Sequence, residues 1–498
     1  MQEFYQLRAL GSSMNLGPSI PTTLREWKHW MQWKVGAVFV VPEETIAAVF
    51  VVPEETIAAV FLMIMLPHYQ QTRVNCSALF SGDKVEIEKD IALASLIAKD
   101  EEMAERMQGY PKSTKSTKYF ADKSFGSEVE KWSREFQRLT NQWYINATKD
   151  CQAFKRTRGY IMSPLTREEG EFPIAFSIVA FKDVEMVERL LRIVYRPQNR
   201  YCIHVDSKAD AEFYSALKAV AACFPGNVRM SSRRVDVRWG TFTVLEPELI
   251  CMQDLWDMDN NFNLNAGTSQ NSVRNEQQNK KKWKYFINLT GQEFPLKTNF
   301  ELVQILKTFK GANHEEGTRK RADSGRWPST PPHGIIPTKG GVHTLLNRAT
   351  VDFILHNEKA ADFIDWLRST GIPDETLFAS INYNPQLNIP GTYNGNKMEN
   401  IEPLTRYKMW YGHNCYSGQT VRGVCILSTG DLHRLGEAPH LFANKFYLHQ
   451  DRVVIGCLEE KLFNDTRDEY LGTKIFNTTF YAQQEFVKHQ VPGDPFRL

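Results

Sequence analysis

The chain has 498 residues, 42% of them hydrophobic and 24% charged, and its formal net charge is +2 at pH 7. This length is enough for a large α/β domain and a second region. A nearly neutral chain without a Lys/Arg block beside an aromatic platform is a poor candidate for binding nucleic acid. Its eight cysteines form no CxxC pair, and this spacing argues against a structural zinc site.

The N-terminal segment contains a perfect duplication. Residues 37–47 read AVFVVPEETIA, and residues 48–58 repeat them before an apolar run continues to Leu66. Lysines precede the segment, as they would in an anchor whose N-terminus is cytosolic. Glutamates interrupt it, however, and its charge-free part is about half the length that spans a bilayer. We interpret residues 1–70 as a cytosolic tail and an atypical signal anchor; the alternative is a soluble leader.

Residues 71–170 are polar, with helical patches separated by stretches rich in lysine, serine and threonine. This composition is typical of a stem between a membrane anchor and a catalytic domain. We therefore expect the catalytic domain to begin near residue 171.

A β-α-β pattern follows directly. The apolar run Ile174–Phe181 leads into an amphipathic helical pattern, and a second apolar run, 201–205, ends in Asp206. A carboxylate at the C-terminal end of such a strand lies where open α/β sheets bind nucleotides.

The strand-helix alternation continues along the chain. The pattern predicts the following elements: a helix near 209–222, a strand at Val228–Met230, a helix near 243–256, a strand at Trp283–Leu289 and a turn at 290–295. This repetition favours a mostly parallel sheet covered by helices. A nucleotide-handling enzyme is the first hypothesis.

The C-terminal half is less regular. Residues 260–282 are rich in Asn and Gln, and they have too little apolar surface to offset the entropy of ordering. Residues 341–357 and 359–368 have helical patterns. The last ordered segment is expected to end near Leu471, which leaves residues 472–498 as a tail.

The cysteines and the glycosylation sequons indicate the cellular compartment in which the protein folds. Eight cysteines fit either buried thiols in a cytosolic enzyme or disulfides in a secretory protein. Five N-x-[ST] sequons favour the secretory interpretation. Asn288 ends an apolar strand and is not expected to carry a glycan. The predicted glycosylation sites are therefore the other four: Asn75, Asn146, Asn464 and Asn477.

From about residue 171 to 460 the chain resembles the core 2 / I-branching β-1,6-N-acetylglucosaminyltransferases, whose wider family includes the peptide O-xylosyltransferases. The matching stretches are RLLRIVYRPQNRYCIHVD (189–206), CMQDL (251–255), WKYFINL (283–289), QEFPLKTN (292–299), PDE (373–375), GDL (430–432) and HLFANK (440–445). They occur in the order and at the spacing found in the family. They identify the family more specifically than they identify its acceptor substrate.

The resemblance implies a GT-A type fold, in which a Rossmann-like mixed sheet is flanked by helices, with a catalytic domain at 171–471. It implies a single-pass type II Golgi membrane protein whose catalytic domain is lumenal. The implied reaction is inverting transfer of GlcNAc from UDP-GlcNAc, in β-1,6 linkage, to a Gal or GalNAc of an O-glycan on a glycoprotein. Neither a metal nor another cofactor is expected, and homodimer formation is left open.

The implied reaction needs a general base that takes the proton of the acceptor hydroxyl. For this role the resemblance points to Glu375. Single displacement at a sugar carbon needs a base on the face opposite the leaving group, and a carboxylate suits this role. The alternative interpretation is an Asp/Glu pair that follows a proline at a helix N-terminus and is stabilised by the helix dipole.

For the leaving diphosphate, Arg422 and Lys445 align with the cation pair of the family. Two fixed cations can replace a divalent ion by stabilising the charge that develops on UDP. The alternative is two ordinary surface cations. The Asp-x-Asp string at 257–259 is a poor metal site, because it lies on the end of a helical pattern.

For the substrates, Val179 and Asp206 match positions that line the uridine pocket of the family. A strand-end turn residue is the alternative for Asp206. Three residues lie near acceptor-binding positions: Glu316, Arg326 and Trp410. Alignment in these loops is loose, and Glu315 is an alternative to Glu316.

The resemblance also implies four disulfides that use all eight cysteines: Cys76–Cys457, Cys151–Cys223, Cys202–Cys251 and Cys415–Cys425. The chain departs from the family at Thr290, where many relatives have a free cysteine, and in the 260–282 insert. Two other functions stay open: a peptide O-xylosyltransferase that uses UDP-xylose, and an inactive lumenal glycan-binding protein.

Overall fold

The computed structural model describes residues 74–91, 94, 138–264, 281–401, 403–410, 412 and 414–496. The predicted cytosolic tail and signal anchor, and much of the predicted stem, lie outside these residues. Within the described ranges, no helix combines the length and the apolar character that crossing a bilayer requires.

The strands in chain order are β1 (Ile174–Ala180), β2 (Arg200–Val205), β3 (Val228–Met230), β4 (Tyr285–Thr290), β5 (Glu293–Pro295), β6 (Leu345–Asn347), β7 (Arg406–Tyr407), β8 (Thr420–Val421), β9 (Val424–Cys425) and β10 (Phe442–Asn444). The central sheet has the order β3-β2-β1-β4-β6. Its first four strands are parallel, and β6 pairs antiparallel with β4. The mixed sheet confirms the α/β prediction and fits a GT-A-like fold.

The α-helices in chain order are α1 (Cys76–Ser81), α2 (Asn141–Ala147), α3 (Cys151–Arg158), α4 (Arg167–Glu171), α5 (Val184–Val194), α6 (Ala211–Ala222), α7 (Glu246–Leu264), α8 (Asn299–Thr308), α9 (Arg348–His356), α10 (Glu358–Leu367), α11 (Leu377–Asn382), α12 (Leu432–Glu437), α13 (Val453–Tyr470), α14 (Thr479–Ala482) and α15 (Glu485–Lys488). Side chains cap several of them, as at α8, where Thr298 and Glu301 form a capping box. Helices flank the sheet, so its inner strands are apolar on both faces.

Three elements differ from the sequence prediction. Helix α7 continues to Leu264, past the predicted end near residue 256 and into the stretch predicted to be unordered. Residues 293–295, predicted within a turn, form β5 in a second sheet of order β5-β10-β7. The helix predicted over 341–357 begins only at Arg348, because Leu345–Asn347 pairs with β4. Neither of these two short strands alternates between apolar and polar side chains, so neither has a strand pattern in the sequence. Their pairing with remote segments decides their structure.

The described parts of the predicted stem belong to the packed cores. Leu79 is fully buried beside α12 and α13, and Tyr144 and Phe154 are buried in the core under the sheet. The same holds at the C-terminal end, where Tyr481 and Phe486 of the predicted tail pack into that core. Isolated aromatic residues in polar stretches have no periodic pattern. For this reason the sequence predicted a stem and a tail where the structure has packed segments.

Four disulfides cross-link the fold: Cys76–Cys457, Cys151–Cys223, Cys202–Cys251 and Cys415–Cys425. These are the pairs that the family resemblance implies. The described residues include all eight cysteines, and none of them is a free thiol. The first bridge joins segments 381 residues apart and ties α1 to α13.

Candidate functional site

The carboxyl ends of three strands meet at one edge of the central sheet. Val179 of β1 lies opposite His204 of β2 and Thr290 of β4. Asp206 follows β2, and its N–H donates to the carbonyl of Ala180 at 3.0 Å. The structure therefore brings together Val179 and Asp206, the two residues predicted to line a nucleoside pocket.

The Asp206 carboxylate is oriented by its own turn. Its two oxygens accept hydrogen bonds from the backbone N–H of Lys208 at 2.9 Å and from the Lys208 ammonium at 3.1 Å. The same ammonium contacts Asp236 at 2.7 Å. Such a clamp holds the carboxylate at the strand end in one orientation, as recognition of ribose or base requires.

Backbone hydrogen bonds bring Lys445 to the same edge. The N–H of Gly291 donates to the carbonyl of Val179 at 2.9 Å, and the N–H of Phe446 donates to the carbonyl of Gln292 at 2.8 Å. A Cβ atom on Gly291 would lie 2.9 Å from a methyl of Val187, so this close approach requires glycine. The second sheet is thus docked against the end of β1.

Lys445 and Arg422 lie close enough to influence each other. Burial lowers the pKa of Lys445, and the positive charge of Arg422 lowers it further. Arg422 and Gly423 form the turn between β8 and β9, and both adopt positive φ, as two-residue hairpin turns require. Two like charges held together are stabilised by an anion, so the pair is suited to bind a diphosphate.

A buried hydrogen-bond network around Glu293 includes Asn444, the residue before Lys445. The fully buried Glu293 carboxylate accepts hydrogen bonds from Arg406 Nε at 2.7 Å and from the Asn444 amide at 3.0 Å. His343 Nε2 lies 3.3 Å from the same carboxylate. Burial, with nearby cations such as Arg406, holds the pKa of His343 well below its usual value, so this ring is neutral. Sequence reasoning missed Glu293, because residues 290–295 were predicted to form a turn, in which a glutamate gives no signal.

Glu375 lies in a short 3₁₀ helix, Pro373–Glu375, and its side chain is 26% exposed. Its carboxylate accepts a hydrogen bond from Arg326 Nη1 at 2.7 Å and lies 3.6 Å from the Lys339 ammonium. The preceding Ile372 has a φ of 51°, which is strained for a β-branched residue. A half-buried carboxylate held by two cations next to a strained residue is a good candidate for a functional group.

The neighbouring carboxyl differs from Glu375. Asp374 is buried, and burial together with the Glu375 charge raises its pKa to about 6. The structure therefore distinguishes the two members of the acidic pair that the sequence leaves equivalent.

The structure also distinguishes Glu315 from Glu316. Glu315 is 1% exposed, accepts a hydrogen bond from Thr344, and burial raises its pKa well above the usual value. Burial alone would also raise the pKa of Glu316, but the Lys408 ammonium at 2.9 Å outweighs it, and the pKa is lowered. Glu316 is therefore the ionised carboxylate that is available to a ligand.

Trp410 lies near Lys408, the lysine that contacts Glu316. It is 53% exposed, and the Lys408 ammonium lies 5.7 Å from its ring centroid. Its backbone forms a bridge with Val424, next to the turn that carries Arg422. Sequence reasoning missed Lys408 and Lys339, because single lysines in loops form no pattern.

Both carboxylates of the Asp-x-Asp string at 257–259 have protein partners. The Asp259 carboxylate is occupied by Arg200 at 3.1 Å and by Arg348 at 2.9 Å. Asp257 accepts a hydrogen bond from Gln253 on the same helix. In the part of the chain that the structure describes, no group of three or more His, Cys, Asp or Glu side chains could hold an ion.

The sequons differ in accessibility, which leads to a prediction. Asn288 is buried, and its amide donates to the carbonyl of Val342 at 2.7 Å. Asn75, Asn146 and Asn477 are exposed, whereas Asn464 is half-buried in α13. We expect mass spectrometry of the secreted protein, after enzymatic deglycosylation, to find glycans at Asn146 and Asn477 and none at Asn288. A glycan at Asn288 would contradict its burial at the end of β4.

The chain is similar to known proteins of one family. A model of the family described as "Core-2/I-Branching enzyme" matches residues 174–270 and 268–436. A human β-1,3-galactosyl-O-glycosyl-glycoprotein β-1,6-N-acetylglucosaminyltransferase is 35% identical over 65% of this chain and 78% of its own length. The bovine protein of that name is 33% identical over 78% of this chain and 85% of its own length. A sheep protein, numbered 3 under that name, is 35% identical over 65% of this chain and 75% of its own length. The chain belongs to the Core-2/I-branching enzyme family and is a glycosyltransferase.

Proposed function

We propose that this protein transfers GlcNAc from UDP-GlcNAc, in β-1,6 linkage, to a Gal or GalNAc of a glycoprotein O-glycan, with inversion and without a metal ion. The observation that carries the proposal is the Arg422–Lys445 cation pair near the carboxyl end of β1, which can take the role of a divalent ion. Its relatives named above are β-1,6-N-acetylglucosaminyltransferases.

A continuous run of contacts links the proposed base to the cation pair. A Cβ atom built on Gly340 would lie 2.9 Å from the carbonyl of Glu316, and the N–H of this glycine donates to the carbonyl of Glu375. Glu316 contacts Lys408, which lies over Trp410 beside the Arg422 turn. The proposed acceptor site and the proposed donor site are therefore neighbours in the structure.

In the proposed reaction, the Glu375 carboxylate takes the proton of the acceptor 6-hydroxyl as its oxygen bonds to C1 of GlcNAc. The bond from C1 to the phosphate oxygen breaks on the opposite face, and its electron pair leaves with UDP. Arg422 and Lys445 stabilise the charge that grows on the diphosphate. Arg326 and Lys339 contact the carboxylate and orient it before proton transfer.

On the acceptor side, Trp410 offers an exposed ring face against which a sugar can pack. Glu316 accepts hydrogen bonds from sugar hydroxyls, and Lys408 donates to them. Val179 and Asp206 hold the uridine of the donor at the sheet edge.

The compartment is part of the proposal. Four disulfides and the absence of a free thiol among the described residues fit an oxidising lumen. We propose a type II Golgi membrane protein whose N-terminal segment is the anchor and whose catalytic domain is lumenal.

The test is GlcNAc transfer by the full chain in detergent, with UDP-GlcNAc and a Galβ1-3GalNAc acceptor in excess EDTA. We expect EDTA to change the rate by less than about twofold, because fixed cations replace the metal. A rate that falls with EDTA and recovers with Mn²⁺ would overturn the metal-free mechanism. Transfer from UDP-xylose to a serine peptide would assign the xylosyltransferase alternative, and UDP binding without turnover would favour a glycan-binding protein.

A further inference from the structure

The turn between β1 and α5 places one more cation at the donor edge. Asp183 adopts a φ of 65°, and its half-buried carboxylate accepts a hydrogen bond from the N–H of Met186 and caps α5. Because Asp183 turns inward, the preceding Lys182 is exposed at the end of β1. Its ammonium lies 5.0 Å from the ring centroid of Tyr447.

Tyr447 belongs to the segment that carries Lys445. Phe446, between them, is the residue hydrogen-bonded to Gln292 next to the end of β1. Burial raises the pKa of the Tyr447 phenol, while the positive charge of Arg422 acts in the opposite direction, so Arg422 lies near this ring. Tyr447 is thus in contact with Lys182, lies within electrostatic reach of Arg422 and is two residues from Lys445 in the chain.

We propose that Lys182 is a third cation of the diphosphate site, held over the Tyr447 ring until UDP-sugar binds and then directed to the terminal phosphate. This inference rests on the proposed function, in which UDP is the leaving group. An ammonium on a flexible four-carbon stem can leave an aromatic face for a phosphate oxygen. As the bond to C1 breaks and the electron pair moves to the phosphate oxygen, Lys182 stabilises the added negative charge.

Binding of UDP, UMP and uridine by calorimetry tests this role. Lys182→Met should weaken UDP binding about tenfold, as expected for the loss of a hydrogen bond to a charged group, and leave uridine binding unchanged. Lys182→Arg should keep most of the UDP affinity. Lys218→Met, at an exposed lysine of α6, is the matched control and should change none of the three affinities.

Variants of Tyr447 test how Lys182 is held. Tyr447→Phe keeps the aromatic face and should bind UDP like the wild type. Tyr447→Leu removes a contact that stabilises only the free protein, so it should bind UDP at least as tightly as the wild type. The double variant Tyr447→Leu with Lys182→Met should bind UDP like Lys182→Met alone, because the ring acts on binding only through Lys182. Weaker UDP binding in Tyr447→Leu than in the wild type would contradict release of Lys182 from the ring.

Three other outcomes would each overturn the inference, and they differ in what they imply for the proposed function. Equal losses for UDP, UMP and uridine would show that Lys182 supports the pocket structurally. Unchanged UDP binding in Lys182→Met, with weakened binding in Arg422→Gln, would leave the proposed function intact and make Lys182 an ordinary surface lysine. A wild-type protein that does not bind UDP would overturn the proposed function as well.

Discussion

Glu375→Gln should lower kcat for GlcNAc transfer about 10³-fold, within the range for removing a general base, while UDP affinity changes less than about twofold. Glutamine has the same shape and can still accept the hydrogen bond of Arg326, which lies 2.7 Å from the carboxylate. It cannot take the proton of the acceptor hydroxyl. The loss should therefore appear in kcat, measured with saturating donor and acceptor.

Two neighbouring carboxyls provide matched controls for Glu375. Asp374→Asn should keep at least about a tenth of the activity, because this side chain is buried and less accessible to a substrate than Glu375. Glu316→Gln should mainly raise the acceptor KM, since its role is to bind sugar hydroxyls. If Glu375→Gln kept more than a tenth of wild-type kcat while Asp374→Asn abolished transfer, the base would be Asp374.

Arg406→Met should destabilise the fold by about 3–5 kcal/mol, the usual cost of removing one partner from a buried ion pair. Arg406 and Glu293 are both fully buried, and the variant leaves the Glu293 carboxylate without its countercharge. Urea unfolding, with the slope of the transition checked for two-state behaviour, measures the loss. UDP affinity should fall as well, because Glu293 also holds Asn444, next to Lys445.

The companion variants separate charge from packing. Arg406→Met with Glu293→Gln should recover part of the lost stability, because no uncompensated charge remains buried. Arg167→Met breaks an exposed pair with Glu171 and should leave the unfolding transition unchanged. A stability of Arg406→Met equal to that of the wild type would show that the pair is not needed for the fold.

The elements that the sequence alone determined are those whose signal is local. The apolar run of β1 and the amphipathic pattern of α5 lie within windows of about ten residues, so periodicity identifies them. The strand Val228–Met230 was also predicted with its observed bounds. The ordered stretches that resemble the branching transferases gave the family, which the comparisons confirm. From that resemblance came the candidate residues Glu375, Arg422 and Lys445.

Only the tertiary structure decided what depends on remote partners. β5 became a strand because β10 pairs with it, and that pairing carries Lys445 to the end of β1. Glu315 and Glu316 are adjacent and identical in type, yet one is buried beside Thr344 and the other faces Lys408. The contact of Lys182 with Tyr447 joins residues far apart in the chain. Burial and ion pairing between distant segments leave no periodic trace in a sequence, because each partner alone is an ordinary residue in its own stretch.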